Sequence, residues 1–349
     1  MLPRQSKRRR HKQRELFDVV KFGVEFVPKE AFWKTVYYAI QSEKRGFDNL
    51  WITDHYNNRN VYVTLAATAV YTKKIVFGPG VTNPFLVNPI ITTQALASLD
   101  ELAPGRVVLG MGAGDKTTLA STGIEANKQL SAVVDAIAIF KAMLEGKSVN
   151  YEGNVFKVKG AKFNFKPRGQ IPVYIGAQGP KMLETAGEIG DGVLINASHP
   201  KDVDYAVSQI KKGVANAGKQ MSDVDVTAYT SFSVHKKLDK AMQAASPVVA
   251  FIVAGSPDVI LERHGLEMDK ANMIRASLKK GDFGTAFGSV TPKMIEAFSI
   301  AGTPDVCNEK IARLLKSGIT QFVVGSPIGP NVRNSIDLIS EQVIPHFKE

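Results

Sequence analysis

The stretch Asn49-Leu50-Trp51-Ile52-Thr53, running straight into Asp54-His55-Tyr56, sets the pattern by which the whole chain is read. Its first half is short and nearly all apolar, as suits a strand buried on both faces. Its far end turns abruptly polar. Outward from it, seven more runs share this build, at residues 20–27, 75–81, 106–112, 172–176, 192–196, 225–231 and 321–325. Between them lie segments such as 31–45, 61–71, 90–101 and 131–144, whose apolar residues recur at helical spacing. Eight buried strands alternating with helices predict parallel βα units, and hence an α/β fold of the (β/α)8 TIM-barrel type.

The run ends strengthen that reading. They are Glu25-Phe26-Val27-Pro28, Thr53-Asp54-His55-Tyr56, Gly80-Val81-Thr82-Asn83-Pro84, Gly112-Ala113-Gly114-Asp115, Gly176-Ala177-Gln178-Gly179-Pro180, Asn196-Ala197-Ser198, Tyr229-Thr230 and Gly325-Ser326-Pro327. Polar groups and glycines at the carboxyl ends of all eight strands converge on one face, where barrels carry their chemistry. Two spacings are long. Residues 147–165 read as an inserted hairpin with Gly153-Asn154 at its turn, and 241–302 as extra helices. Residues 19–349 are thus expected to form one barrel domain with two insertions.

A length of 349 residues, 44% hydrophobic and 22% charged, suits one such domain. No apolar run of about 18 residues is present, so no membrane span is expected. The single cysteine, Cys307, excludes an internal disulfide framework, and the start has no apolar stretch of the secretory kind. A cytoplasmic location is the resulting expectation. The formal charge is +11, and seven of the basic residues fall between Arg4 and Arg14 with no acid among them. Residues 1–18 are therefore read as a basic extension kept disordered by self-repulsion. Either it is an arm with weak affinity for nucleic acid or anionic surfaces, or an upstream extension without a role.

Several chemistries find no support. The six histidines form no metal-ligand spacing, Gly-x-Ser-x-Gly is missing, and Cys307 follows a helix start at Thr303. There is no Walker loop, and Gly110-Met111-Gly112-Ala113-Gly114 misplaces the third glycine of a dinucleotide fingerprint. What remains is glycine backbone and a few carboxylates. Gly176-Ala177-Gln178-Gly179 leads into a helix near Pro180, and its amides suit a phosphate or simply a tight turn. Glu25 lies inside a buried strand, where a carboxyl is costly unless paired or protonated. Burial favours its neutral form, which suits a general acid, although a structural ion pair has the same signature. Asp54-His55 is read as binding a polar ring edge or as holding a loop. Asp115 is read as a site carboxylate or a helix N-cap.

Together, Trp51–Asn58, Gly78-Pro79-Gly80-Val81-Thr82-Asn83-Pro84 and Gly176-Ala177-Gln178-Gly179-Pro180 resemble the luciferase-like flavin and deazaflavin barrel superfamily. With residues 21–28 and 250–257, Glu262-Arg263-His264-Gly265 and residues 325–330, the likeness narrows. The chain then resembles the coenzyme F420-dependent methylenetetrahydromethanopterin reductases of archaeal one-carbon metabolism and methanogenesis. The likeness runs from about residue 20 onward and leaves the basic tail outside.

That resemblance implies reversible hydride transfer from reduced coenzyme F420, a dissociable deazaflavin, to 5,10-methylenetetrahydromethanopterin, giving the 5-methyl derivative. Neither flavin nor metal is implied, and homodimers or homotetramers are. It also implies a non-proline cis peptide at Gly80–Val81, forming a bulge behind the deazaflavin. Asp54, His55, Gly80, Val81, Thr82, Gly176, Ala177, Gln178 and Gly179 are then expected to hold the coenzyme. Glu25 would be the proton donor, and Asp115 would face the pterin or the ring. Three rivals stay open: another deazaflavin enzyme oxidising an alcohol or sugar phosphate, an FMN monooxygenase, and a barrel that only binds.

Overall fold

A computed structural model describes residues 20–348 of the chain. The expectation for residues 1–18 lies outside the described residues. All eight expected strands are present: β1 (Lys21–Phe26), β2 (Asn49–Ile52), β3 (Val76–Pro79), β4 (Leu109–Gly112), β7 (Val173–Ala177), β8 (Gly192–Ile195), β9 (Asp225–Val234) and β11 (Gln321–Ile328). The expected hairpin supplies β5 (Val149–Glu152) and β6 (Lys157–Ala161), and β10 (Ile300–Gly302) is a further short strand. The sheet order is β3-β2-β1-β11-β9-β8-β7-β4, with β10 beside β9, and isolated parallel bridges Phe77–Val107 and Thr82–Met111 join the β3 and β4 ends of that order. This is the parallel (β/α)8 barrel the run pattern implies.

By internal packing the chain divides into two compact units. The larger comprises residues 23–195 and 206–227. It holds most of β1, then β2, β3, β4, β7 and β8, with helices α1 (Phe32–Lys44), α2 (Val61–Tyr71), α3 (Pro89–Leu102), α4 (Lys116–Ser121), α5 (Gln129–Leu144) and α6 (Pro180–Ile189). Its strand pairs are parallel and in register, Glu25 opposite Trp51 and Trp51 opposite Gly78. The helices have local reasons to start where they do. Asn60 and Asn88 accept hydrogen bonds from the first amides of α2 and α3, and Pro89 and Pro180 stand at first-turn positions where a missing N–H costs nothing. The hairpin docks on α5 through Asp135, whose carboxylate accepts from Tyr151 Oη at 3.0 Å and from the amides of Val155 and Phe156 at 2.6 and 3.1 Å. Gly153 must be glycine there, because a Cβ would lie 2.4 Å from that carboxylate.

The second unit comprises, among described residues, 20–22, 196–205 and 228–348. The helix α7 (Pro200–Asn216) begins in it. The expected extra helices are α8 (Leu238–Gly255), α9 (Asp258–Arg263), α10 (Met268–Lys279), α11 (Phe283–Gly288) and α12 (Pro292–Phe298). They share an apolar core built on Val249, Val253, Leu261, Ile274, Met294 and Phe298. The strand β10 emerges at the end of this insertion and pairs parallel with β9, Ile300 opposite Phe232. Cys307 lies inside α13 (Pro304–Lys316), one turn beyond its N-cap Thr303, and burial pushes its thiol up to about 12. Such a thiol is a small core hydrophobe, not a nucleophile. The chain closes with α14 (Val332–Gln342) and α15 (Ile344–Phe347).

Candidate active site

Every candidate site residue lies in the larger unit. The side chains of β1 divide by the two-residue repeat of a strand. Phe26 turns outward, its ring 5.6 Å from that of Tyr38 on α1. Glu25 therefore faces the other way. Its register partner Trp51 shares that face and reaches across the inside of the curved sheet, its ring 5.1 Å from Tyr174 on β7, a strand that is not its neighbour. Tyr174 in turn donates to Asp225 Oδ2 at 2.8 Å. Glu25, only 7% exposed, thus belongs to an interior layer with Trp51 and Tyr174, just below the strand ends.

Gly78 is level with this layer, and two residues beyond it the chain reaches Gly80. The peptide Gly80–Val81 is cis, as the resemblance implies. The Val81 side chain then sits against two glycines. A Cβ on Gly112 would come 2.7 Å from Val81 Cγ2, and one on Gly176 would come 3.3 Å from both Val81 methyls. Gly112 and Gly176 are register partners on β4 and β7, so two neighbouring strands are cleared of side chains at the same level to admit one valine. Asn83 fixes the exit from this bulge by accepting from the amides of Phe85 and Leu86 at 3.1 and 3.0 Å.

Asp54 is half-buried, and His55 beside it is exposed. Burial pushes the Asp54 carboxyl above its ordinary range, while the hydroxyl of Thr82 and the charge of His55 act against that push. Thr82 is fully buried. Its hydroxyl has no hydrogen-bond partner. Tyr62, on the first turn of α2, donates to Thr92 Oγ1 of α3 at 3.4 Å. Neither Tyr62 nor Thr92 was singled out by the sequence, since both sit near helix starts and gain meaning only when β2, β3, α2 and α3 meet.

Asp115 caps α4, its Oδ1 accepting from Thr118 N at 2.7 Å. The N-cap alternative is thus realised, on an exposed side chain at the end of β4. The neighbouring carbonyls of Ala113 and Gly114 accept from Gln129 Nε2 of α5 at 2.9 and 3.1 Å, a contact without any sequence signal. At the end of β7, Ala177 is buried whereas Gln178 and Gly179 are exposed. Gly179 is the N-cap of α6, with open space where its side chain would be. No side chain caps α6 and its first turn has no acid, leaving amide donors and a positive dipole end toward an anion. Among the described residues no group of His, Cys, Asp and Glu could hold a metal ion, and no helix is long and apolar enough to cross a membrane.

Residues 14–321 match the family model described as luciferase-like monooxygenase. A 5,10-methylenetetrahydromethanopterin reductase of Archaeoglobus fulgidus is 53% identical over 333 residues, covering 94% of this chain and all of that protein. A second protein of that name, from Methanolobus tindarius, is 50% identical over 324 residues, covering 93% of this chain and 99% of the relative. Among solved structures, the coenzyme F420-dependent tetrahydromethanopterin reductase of Methanopyrus kandleri superposes with a TM-score of 0.90 at 46% identity, covering 94% of this chain and 99% of that one.

Proposed function

The chain belongs to the 5,10-methylenetetrahydromethanopterin reductases within the luciferase-like barrel family, and from that premise we propose how its strand-end residues share the work of the reaction. Reduced coenzyme F420 supplies the hydride that turns 5,10-methylenetetrahydromethanopterin into its 5-methyl form. The observation that supports the site is the bulge of Gly80 and Val81, seated on Gly112 and Gly176. It offers one rigid apolar face at the mouth, flat enough for a planar ring because the walls on either side carry no side chain. The open Gly179 and the uncapped start of α6 fit a phosphate beside it, with Ala177 and Gln178 along the ring edge.

Glu25 is the proposed proton donor. Its interior position just below the mouth keeps it out of bulk water and within the layer under the bulge. It delivers the proton to the pterin nitrogen that leaves as the methylene bridge opens, the task of a general acid. Asp54, His55 and Thr82 hold the coenzyme from the β2 and β3 ends. Asp115 borders the pterin side while capping α4. Holding both ligands in one enclosed geometry is the larger share of the rate gain, since it replaces an encounter by a fixed approach. The active assembly is proposed to be a homodimer or homotetramer, which light scattering reads directly.

The test is anaerobic. The full chain is mixed with reduced coenzyme F420 and 5,10-methylenetetrahydromethanopterin, and the deazaflavin absorbance is followed. Recovery of the oxidised absorbance that depends on both substrates supports the reading. No recovery with this pterin, together with recovery on acetone or with loss of oxidised coenzyme F420 absorbance on a sugar phosphate, overturns it.

A further inference from the structure

Four consecutive strand ends are tied to one another by contacts that the proposed chemistry leaves unused. Arg59, at the end of the β2 loop, donates through Nη1 to the Lys29 carbonyl, and its amide donates to the Pro28 carbonyl at 3.2 Å. These bonds anchor the loop on the β1 exit. On the far side, Gln129 holds the carbonyls of Ala113 and Gly114 and so fixes the β4 exit. Between these anchors stands α4. Its Leu119 is buried, and a Cβ on Gly114 would lie 2.8 Å from Leu119 Cδ1 and 3.4 Å from Asn83 Cβ. The start of the α4 segment is thus seated on the β3 exit. The remaining gap, from the β2 loop to α4, is closed by Tyr56 and Ser121, whose hydroxyl oxygens are 3.0 Å apart. Because β3 lies between β2 and β4, this bridge spans the strand end where Gly80 and Val81 stand.

The direction of the bridge follows from the protons available. Ser121 has one hydroxyl proton, and the Thr118 carbonyl 2.8 Å away can only accept it. Tyr56 therefore donates to Ser121 Oγ. We infer that Tyr56 is a positioning residue for the coenzyme: its hydrogen bond to Ser121 closes an arch over the bulge, and the arch must part before the coenzyme leaves. The inference rests on the reading that coenzyme F420 lies against Gly80 and Val81. Both residues of the bridge are exposed, Tyr56 to 56%, so water competes for the link and it can open without disturbing the core. The backbone beside α4 suits such an opening. Gly114 and Gly123 flank the helix in the left-handed region, at φ +77° and +76°, and nothing lies within 4 Å of where a Gly123 Cβ would be. Asp54 and His55 share the loop of Tyr56, so the same bridge holds them in place.

The experiment measures release of coenzyme F420 from the full chain by stopped-flow, read from the deazaflavin fluorescence. Tyr56→Phe removes the donor and Ser121→Ala the acceptor. Each is expected to raise the dissociation rate about three- to tenfold, the worth of one hydrogen bond. The double variant is expected to release no faster than the faster single, because the two groups make one contact. Ser121→Thr keeps a hydroxyl and is expected to keep the parent rate. A merely structural role of the Tyr56 ring would leave Ser121→Ala at the parent rate. Unchanged rates in both singles, or effects that add in the double, overturn the inference and leave the proposed function standing. If Tyr56→Phe fails to fold, Ser121→Ala against Ser121→Thr decides, because equal rates in those two overturn it. A parent chain that binds no coenzyme F420 in the same assay overturns the proposed function and the inference together.

Discussion

Asp202 and Asp54 each stand shortly after a strand end, one in each unit, and their surroundings treat the same carboxyl group in opposite ways. Asp202, on the first turn of α7, suffers the upward push of burial, but His264 Nε2 at 2.7 Å and Arg263 Nη1 at 2.8 Å outweigh it and hold the group below its ordinary value. Arg263 also stacks on Tyr205, and His264 packs on Phe298. Burial lowers the neighbouring His199, and His264 lowers it further. Both oxygens of that carboxylate have a partner. At Asp54 the same burial is opposed by the Thr82 hydroxyl and the charge of His55, and the group ends up raised. A closed set of partners marks a fastening; an open set marks a place kept ready for something else.

The largest effect expected at the open region is chemical. Glu25→Gln should keep coenzyme binding and lower turnover at least about 100-fold, the low end of acid catalysis. Stopped-flow assays and a binding titration read the two separately, and parent turnover in the variant would remove Glu25 from its role. Next comes the bulge. Gly112→Ala places a methyl 2.7 Å from Val81 Cγ2, so the valine must move. Overpacking of this kind costs about 1–3 kcal/mol, and coenzyme affinity is expected to drop about tenfold as the ring's seat shifts. Gly176→Ala, with its 3.3 Å approach, should do the same more mildly.

At the fastened region the expected loss is one of stability. Asp202→Ala leaves Arg263 and His264 without their carboxylate and should cost about 2 kcal/mol of unfolding free energy at neutral pH, with turnover unchanged. Because the folded Asp202 value is depressed, its contribution is present above the ordinary value of 3.8 and lost as pH falls through the lowered one. Parent and variant should therefore converge in strong acid. Asp54→Asn is the smallest and has the opposite sign. A raised carboxyl weighs against the folded state as pH rises through 3.8 toward its folded value, so removing the charge should stabilise the chain at pH 7 by up to about 1 kcal/mol. Thermal unfolding at pH 4 and pH 7 checks both, and a shared sign would erase the contrast.

The sequence made the barrel readable because each of its strands is buried on both faces and so shows as an apolar block with a polar stop. Strand β10 escaped, since Ile300-Ala301-Gly302 is too short to display a period inside a helical insertion. The site was readable as a set of strand ends but not as an arrangement. Glu25 could be named from one carboxylate in an apolar run. Its inward face needed Phe26 on Tyr38 and Trp51 on Tyr174. The glycines of β4 and β7 looked like turn residues, and only the three-dimensional approach of Val81 shows what they make room for. Tyr62 and Thr92 carry no local signal at all.

The most direct measurement is a crystal structure of the chain with coenzyme F420 bound. The account expects one face of the deazaflavin against Val81, its phosphate at the start of α6, and Glu25 within hydrogen-bond reach, directly or through one water, of the space over the other face. A ring bound away from Gly80 and Val81, or a Glu25 carboxyl out of reach of that space, would contradict it.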